Sequence, residues 1–130
     1  LKNKRYAIAM DMGPSPDKNF SSDYQSGALS FEFLSNKKKI ITNSGYFQNY
    51  KHQLNFISKT SACHSTLSVQ NHSSAQFYKT ISGATKIENP IKVSEKKIIS
   101  TNDLWCIEAS HDGFFKRFGV KHKRKIEFFK

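Results

Sequence analysis

The chain has 130 residues, enough for one domain with a hydrophobic core, and its formal net charge is +11. No apolar run reaches the length that a bilayer requires, so we expect no membrane span. The charge comes from 21 Lys and Arg against 10 Asp and Glu. It is typical of a protein with a polyanionic partner, although a lysine-rich surface that mainly confers solubility gives the same balance.

Apolar and polar residues alternate with a period of two through much of the chain, which is typical of half-buried strands. The pattern predicts strands near 5–11, 28–34, 38–43, 65–70, 76–80, 96–100, 103–109 and 123–129. Residues 35–37 are short enough to close a hairpin. Residues 46–60 predict a short helix or an ordered loop, because their apolar positions recur at spacings of three and four. Many short strands with polar turns indicate an all-β fold, an antiparallel β-sandwich.

The ends and the cysteines add two expectations. The chain begins at Leu1 rather than Met and ends on a strand-like run, so we expect a piece of a longer protein that is incomplete at both ends. Cys63 and Cys106 permit one disulfide, but two unpaired thiols are expected, since free Cys is among the most buried residue types.

Two further features have both a functional and a structural interpretation. The basic stretch 116–125 fits either a polyanion-binding surface or an edge strand that its lysines protect. His111 and Asp112 resemble a catalytic pair, but neighbours on a strand point to opposite faces, and a turn histidine that supports a hairpin is the alternative. Trp105 is expected in the core. No RNA-recognition motif or recognition-helix pattern is present, so we expect no specific nucleic-acid partner.

Three blocks carry a family resemblance: YQSGALSFEF at 24–33, IITNSGY at 40–46 and KTSACHSTL at 59–67. They resemble the C-terminal domain of heparinase II/III-like proteins, a family of bacterial polysaccharide lyases. A fourth, weaker block covers ASHDGF at 109–114 and the basic stretch after it. The order and spacing of the blocks are more specific than any one of them.

The resemblance implies a two-part protein. Family members join an N-terminal α/α toroid to a C-terminal β-sandwich, with acidic polysaccharide between them, and break a uronic-acid linkage by β-elimination. The principal base comes from the toroid, so no catalytic residue is expected in this chain, which would be inactive by itself. The resemblance also suggests a periplasmic or cell-envelope location, and the toroid and the polysaccharide as partners.

Many relatives hold a divalent metal through His, Asp and His, and these positions fall on Gln25, Asn43 and His64. Two neutral amides have replaced an imidazole and a carboxylate, and such a set holds cations weakly. We therefore expect a degraded metal site and no cofactor. A histidine that approaches substrate in some relatives falls on Asp23, which cannot donate a proton at neutral pH at its ordinary pKa.

The resemblance places Asn43, Lys59 and His64 near the sugar as substrate-binding residues. For His64, a structural histidine hydrogen-bonded to the turn near Asn43 is the alternative. The loss of two metal positions leaves a second function open for the whole protein, namely a non-catalytic acidic-glycan-binding or envelope-assembly protein.

Overall fold

The computed structural model describes residues 1–129, and within them the fold consists almost entirely of antiparallel strands. The strands are β1 (Tyr6–Met10), β2 (Phe31–Ser35), β3 (Lys38–Ile41), β4 (Phe77–Lys79), β5 (Thr85–Ile87), β6 (Val93–Ser100), β7 (Leu104–His111) and β8 (His122–Phe129). Two short helices, α1 (Gln53–Lys59) and α2 (Phe115–Phe118), lie in the connections. Single turns of 3-10 helix cover Lys18–Phe20 and Ser61–Cys63.

The strands form three sheets, with the orders β1-β2-β3, β4-β5 and β6-β7-β8. Aromatic side chains join the two larger sheets. The ring of Tyr6 on β1 lies 4.9 Å from that of Phe128 on β8, which in turn lies 5.5 Å from Trp105 on β7. Trp105 is buried, as expected. The face-to-face packing of two antiparallel sheets confirms the predicted all-β, sandwich-like architecture.

Local sequence explains the connections. β2 and β3 form the predicted hairpin, and Asn36 and Lys37 between them both have positive φ, as a tight two-residue turn requires. The helix predicted as one possibility for residues 46–60 is α1. His52 caps it, because its Nδ1 accepts a hydrogen bond from the backbone N–H of Leu54 at 3.1 Å.

A hydrophobic core cluster lies outside the strands of the two larger sheets. Its buried members are Ala28, Ala75, Ile87 and Ile91, and Tyr24 and Phe77 pack against it. Ile87 belongs to β5, a strand of three residues that the alternation pattern did not predict. So short a segment shows too little alternation to be recognised.

The strand predicted over 65–70 is wrong. Ser65 and Thr66 direct their hydroxyl groups at the backbone of Phe31 and Ala28, and only Val69 forms a bridge, to His72. A tight turn follows at Gln70 and Asn71, which both have positive φ. These hydroxyl groups bond the backbone of a distant segment, and residues 65–70 form no strand ladder.

The basic stretch forms α2 and β8, and β8 is an edge strand of its sheet. Its side chains alternate, with Lys121, Lys123 and Lys125 exposed and His122 buried. Edge lysines of this kind discourage pairing with another chain. Within the described part of the chain, no helix is long and apolar enough to cross a membrane.

Candidate functional site

The three family-like blocks meet in space. The backbone N–H of Ser26 donates to the carbonyl of Lys59 at 2.8 Å, and the Ser61 hydroxyl donates to the carbonyl of Ser26 at the same distance. The Ser44 N–H donates to the carbonyl of Cys63 at 3.0 Å. These backbone contacts fix residues 25, 43 and 64 on segments that lie side by side.

Asn43 has a structural role in this arrangement. Its Oδ1 accepts a hydrogen bond from the backbone N–H of Ser65 at 2.9 Å, and its own N–H donates to Glu32 Oε1 at 3.3 Å. The Ser65 hydroxyl accepts from the Phe31 N–H at 2.8 Å. Asn43 therefore ties the second block to the third through Ser65.

His64 is half-buried beside Gly27. A Cβ atom at Gly27 would lie 3.5 Å from Cγ of His64 and 3.2 Å from the Ser30 hydroxyl, so the absence of a side chain there makes room for the imidazole. Among the described residues 1–129, none forms a hydrogen bond with the buried Nε2 atom of His64. Burial lowers the pKa of His64, opposed by the Ser58 backbone and Asp11, and the ring is thereby favoured as neutral. It is Ser65, not His64, that bonds the side chain of Asn43.

The residues at the relatives' metal positions do not fit a metal. Gln25 and Asn43 carry no charge, and the Asn43 oxygen already accepts from Ser65. Only His64 supplies a nitrogen donor, whereas zinc prefers several N or S ligands. Among residues 1–129, no three His, Cys, Asp or Glu side chains are grouped so that they could hold an ion.

A pocket of about 280 Å³, lined mainly by residues with polar groups, lies next to this junction, and we call it the Tyr46 pocket. Its lining includes Asp23, Tyr46, Tyr50 and Lys59. The Tyr46 hydroxyl donates to Asp23 Oδ1 at 2.9 Å. Tyr50 is 64% exposed, so one face of its ring is available at the mouth. An aromatic ring beside hydrogen-bonding groups is a common feature of small-molecule sites.

Lys59 is the buried cation of the Tyr46 pocket, with only 2% of its surface exposed. Its Nζ donates to the carbonyl of Ser22 and lies 5.6 Å from the centre of the Tyr46 ring. Burial lowers the pKa of Lys59, while the charge of Asp23 opposes that change. An ammonium and a carboxylate therefore face the same small space, where each offsets the charge of the other.

Asn55 on α1 fixes the position of Tyr46 through hydrogen bonds. Its Nδ2 donates to the Tyr46 hydroxyl at 3.0 Å and to the carbonyl of Phe47 at 2.6 Å. Burial and Asp23 raise the pKa of Tyr46, and the Asn55 hydrogen bond partly offsets this. The phenol is therefore protonated at neutral pH and acts as a hydrogen-bond donor.

His111 does not form the pair with Asp112 that the sequence permits. Its Nε2 lies 3.0 Å from Nδ1 of His122 on the neighbouring strand, and both rings are buried. Asp112 Oδ1 instead accepts from the Lys92 N–H at 2.8 Å. The alternative, a histidine that supports the end of the β7–β8 hairpin, agrees with these contacts.

Sequence reasoning placed Lys59 at the site but did not foresee the contacts of Asp23, Tyr46 and Asn55. Tyr46 and Asn55 lie nine positions apart within 46–60 and meet only because α1 folds back. The apolar periodicity of residues 46–60 predicted a short helix or an ordered loop. It did not predict that Tyr46 would contact Asp23.

Fold and site together define a sandwich-like all-β domain with a polar, aromatic-edged pocket where three loops meet. The chain belongs to the family described as "Heparinase II/III-like, C-terminal", whose family model matches residues 1–130, the whole chain. This confirms the resemblance of the blocks. No curated protein and no solved structure matches the chain significantly.

Proposed function

We propose that this domain forms one wall of the substrate cleft of a polysaccharide lyase-like protein that acts on uronic-acid-containing polysaccharide. Membership of the heparinase II/III-like family supports a polysaccharide lyase-related protein. The observation that carries the finer proposal is the Tyr46 pocket, where Tyr46, Asp23 and Lys59 present hydrogen-bonding and charged groups beside the exposed ring of Tyr50.

β-Elimination removes the proton at C5 of a uronic acid and breaks the 4-linked glycosidic bond. The C5 proton is weakly acidic until the adjacent carboxylate is neutralised, so cations or hydrogen-bond donors must face the developing enolate. In the proposed complex the base comes from an N-terminal toroid of the same protein. The domain described here binds and orients the sugar through Tyr46, with Asn43 and His64 on the adjoining surface.

The net charge of +11 supports an acidic polysaccharide as partner, because the field of a basic domain raises the local concentration of a polyanion. Lys59 and Asp23 balance each other locally, so the pocket itself is suited to sugar hydroxyl groups. The proposed domain works without a metal, since two of three donor positions are neutral amides. A location in the periplasm or cell envelope, where such polysaccharides occur, belongs to the same proposal.

The test uses the whole protein that contains this chain and follows the ultraviolet absorbance of unsaturated uronate on heparan, alginate and hyaluronan. One of these glycans is expected to yield product. Tyr46→Phe should raise KM several-fold, and Tyr78→Phe, an exposed tyrosine on β4, should not. If none of the acidic glycans yields product, the lyase proposal fails.

A second candidate is a non-catalytic acidic-glycan-binding or envelope-assembly protein. The observation that favours it is the replacement of charged or imidazole groups by Gln25 and Asn43, together with a carboxylate at Asp23. Binding of acidic glycan by the whole protein without product would support this candidate. Turnover at an ordinary enzymatic rate would exclude it.

A further inference from the structure

A second concave site lies at the start of α2, outside the Tyr46 pocket. This α2 groove encloses about 200 Å³, and its rim carries Gln76, Asn89, Phe115, Lys116 and Arg117. None of these five residues lines the Tyr46 pocket. The groove therefore requires an explanation of its own.

The floor of the α2 groove is rigid. Gly113 passes so close to the neighbouring loop that a Cβ atom on it would lie 2.6 Å from the carbonyl oxygen of Ser74. The Gly113 N–H donates to Nδ1 of His111 at 3.1 Å, which joins the floor to the buried histidine pair. Phe114, only 1% exposed, anchors the start of α2 against the ring of His111 at 5.6 Å. A ligand would therefore meet a preformed surface and lose little free energy in ordering it.

The anchoring of Phe114 and Phe118, four positions apart on one side of α2, turns the three residues between them outward. Phe115 is 55% exposed, and Lys116 and Arg117 are exposed as well. Within residues 1–129, Arg117 forms no salt bridge. Its guanidinium lies 5.7 Å from the centre of the Phe118 ring. A planar guanidinium without an acidic partner suits a carboxylate or sulfate group, which it can bind with two parallel hydrogen bonds.

The uncharged groups of the rim fit a sugar better than a bare anion. Lys116 Nζ lies 3.4 Å from Asn89 Oδ1, a long contact that a ligand oxygen could replace. Gln76 and Asn89 offer amide donors and acceptors to hydroxyl groups. The ring of Phe115 offers an apolar face to the C–H side of a sugar ring. Asp112 also lines the groove, but its Oδ1 accepts from the backbone N–H of Lys92.

We propose that the α2 groove is a second glycan-binding site, which takes an anionic sugar unit of the acidic polysaccharide and is separate from the Tyr46 pocket. The inference rests on the proposed function for the class of its ligand. A second site would hold a long chain in place while another part of the chain occupies the cleft. It would increase affinity through effective concentration and would leave the chemistry unchanged.

The experiment measures the affinity of the whole protein for labelled alginate and heparan sulfate oligosaccharides, with a neutral cello-oligosaccharide and single-stranded DNA as comparison probes. Arg117→Gln is expected to weaken binding of the acidic oligosaccharides about tenfold, as the loss of a charge-assisted pair of about 1.4 kcal/mol implies. Phe115→Ala is expected to weaken it several-fold. The matched controls are Lys97→Gln and Phe129→Ala, an exposed cation and an exposed aromatic residue outside the groove, and both should bind normally.

Phe115→Trp provides a direct readout of the α2 groove when its emission is compared with that of the natural protein, and Trp105 of this domain is buried. Acidic oligosaccharide should change the emission of this variant, and the neutral oligosaccharide should not. Three results would each overturn the proposed second site. They are an equal loss of oligosaccharide affinity in Arg117→Gln and Lys97→Gln, a loss of DNA affinity in Arg117→Gln as large as its loss of oligosaccharide affinity, and unchanged emission of Phe115→Trp at saturating acidic oligosaccharide. If the whole protein forms unsaturated product but the emission of Phe115→Trp does not change, the second glycan-binding site is rejected and the lyase proposal stands. If the emission changes but no product forms, the lyase activity is rejected and the second site stands.

Discussion

His111 and His122 form a buried imidazole pair at the end of the β7–β8 hairpin, with Nε2 of His111 3.0 Å from Nδ1 of His122. The Gly113 N–H donates to Nδ1 of His111, so Nε2 of His111 carries the proton and donates it to His122. This bond chain requires both rings to be neutral. Protonation of His122 would leave two N–H groups facing each other.

The pair predicts that the protein loses stability in mild acid. Burial, the charge of His122 and that of Arg124 lower the pKa of His111 to about 4, against a partial opposing effect of Asp112. Burial and Arg124 lower the pKa of His122 to about 4. The unfolded chain takes up these protons near pH 6.5. The pair therefore contributes fully to the free energy of unfolding above about pH 6.5. This contribution declines as the pH falls towards 4, by about 1.4 kcal/mol per pH unit for each histidine.

Urea denaturation at several pH values checks this prediction. His122→Asn keeps an acceptor for His111 but removes one titrating group, so the decline between about pH 6.5 and 4 should become roughly half as steep. His72→Asn, at a half-buried histidine outside the pair, is the control and should keep the natural slope. The same slope in His122→Asn and in the natural protein would contradict the prediction.

Arg124 is predicted to stabilise the fold more than the lysines beside it. Its Nη1 donates to the carbonyl of Leu29 at 2.6 Å and also to that of Ser65, and its guanidinium lies 5.2 Å from the ring of Phe31. Arg124→Gln leaves two carbonyl groups without their charged donor and should lower the free energy of unfolding by about 1.5–3 kcal/mol. Lys125→Gln removes an exposed contact with Glu127 and should change little.

Chemical denaturation of the two variants, made at neighbouring positions of β8, measures this difference. Equal free energies of unfolding in Arg124→Gln and Lys125→Gln would show that the inward guanidinium contributes no more than an ordinary surface cation. The comparison also separates the two aspects of the basic stretch, since the exposed lysines protect the edge of the sheet and Arg124 joins β8 to residues 29 and 65.

The sequence predicts the strands well where apolar and polar side chains alternate over a long segment, as in β7 and β8. It fails at residues 65–70, where the hydroxyl groups of Ser65 and Thr66 bond to Phe31 and Ala28. That outcome depends on residues more than thirty positions away, which no local pattern encodes. Backbone hydrogen bonds from Ser26 to Lys59 and from Ser44 to Cys63 hold the three block segments side by side. The degraded metal site that the resemblance implies at Gln25, Asn43 and His64 stays a prediction.

The Tyr46 pocket shows the limit of the same reasoning. The resemblance places Lys59 near the sugar, and the structure shows that its side chain is buried, with its amine bonded to the carbonyl of Ser22. Whether a cation faces solvent or supports a neighbouring ring is decided by packing across α1, which charge patterns do not report. The same applies to His111, whose partner is His122 rather than the adjacent Asp112.

Asn55 is predicted to hold Tyr46 in its orientation. Asn55→Ala removes the donor to the Phe47 carbonyl and to the Tyr46 hydroxyl, and it should lower the free energy of unfolding by about 1–3 kcal/mol. It should also raise the pKa of Tyr46 further, because the Asn55 hydrogen bond lowers it. Denaturation and ultraviolet titration of the phenol groups measure the two effects.

Gln53→Ala, which removes an exposed amide two positions earlier on α1, is the matched control for Asn55→Ala. It should change neither the stability appreciably nor the phenol titration. A stable Asn55→Ala variant with an unshifted phenol would mean that Asp23 alone orients Tyr46.

The degraded metal site that the resemblance implies predicts a gain of function. Gln25 and Asn43 lie on segments beside His64, and Asn43 already contacts Ser65, the next residue in the chain. The double substitution Gln25→His with Asn43→Asp would supply a second imidazole and a carboxylate, a donor set that suits zinc. We expect the double variant to retain about one zinc ion per chain after dialysis, by elemental analysis, and the natural protein to retain far less.

The matched control for the zinc gain is Gln25→His with Asn43→Ala, which adds the imidazole without the carboxylate. It should bind zinc weakly, and adding His64→Ala to the double variant should abolish retention. Both outcomes follow because a neutral or incomplete donor set does not offset the dehydration of a divalent cation. If the double variant retains no more zinc than this control, Gln25, Asn43 and His64 do not converge closely enough to bind one ion.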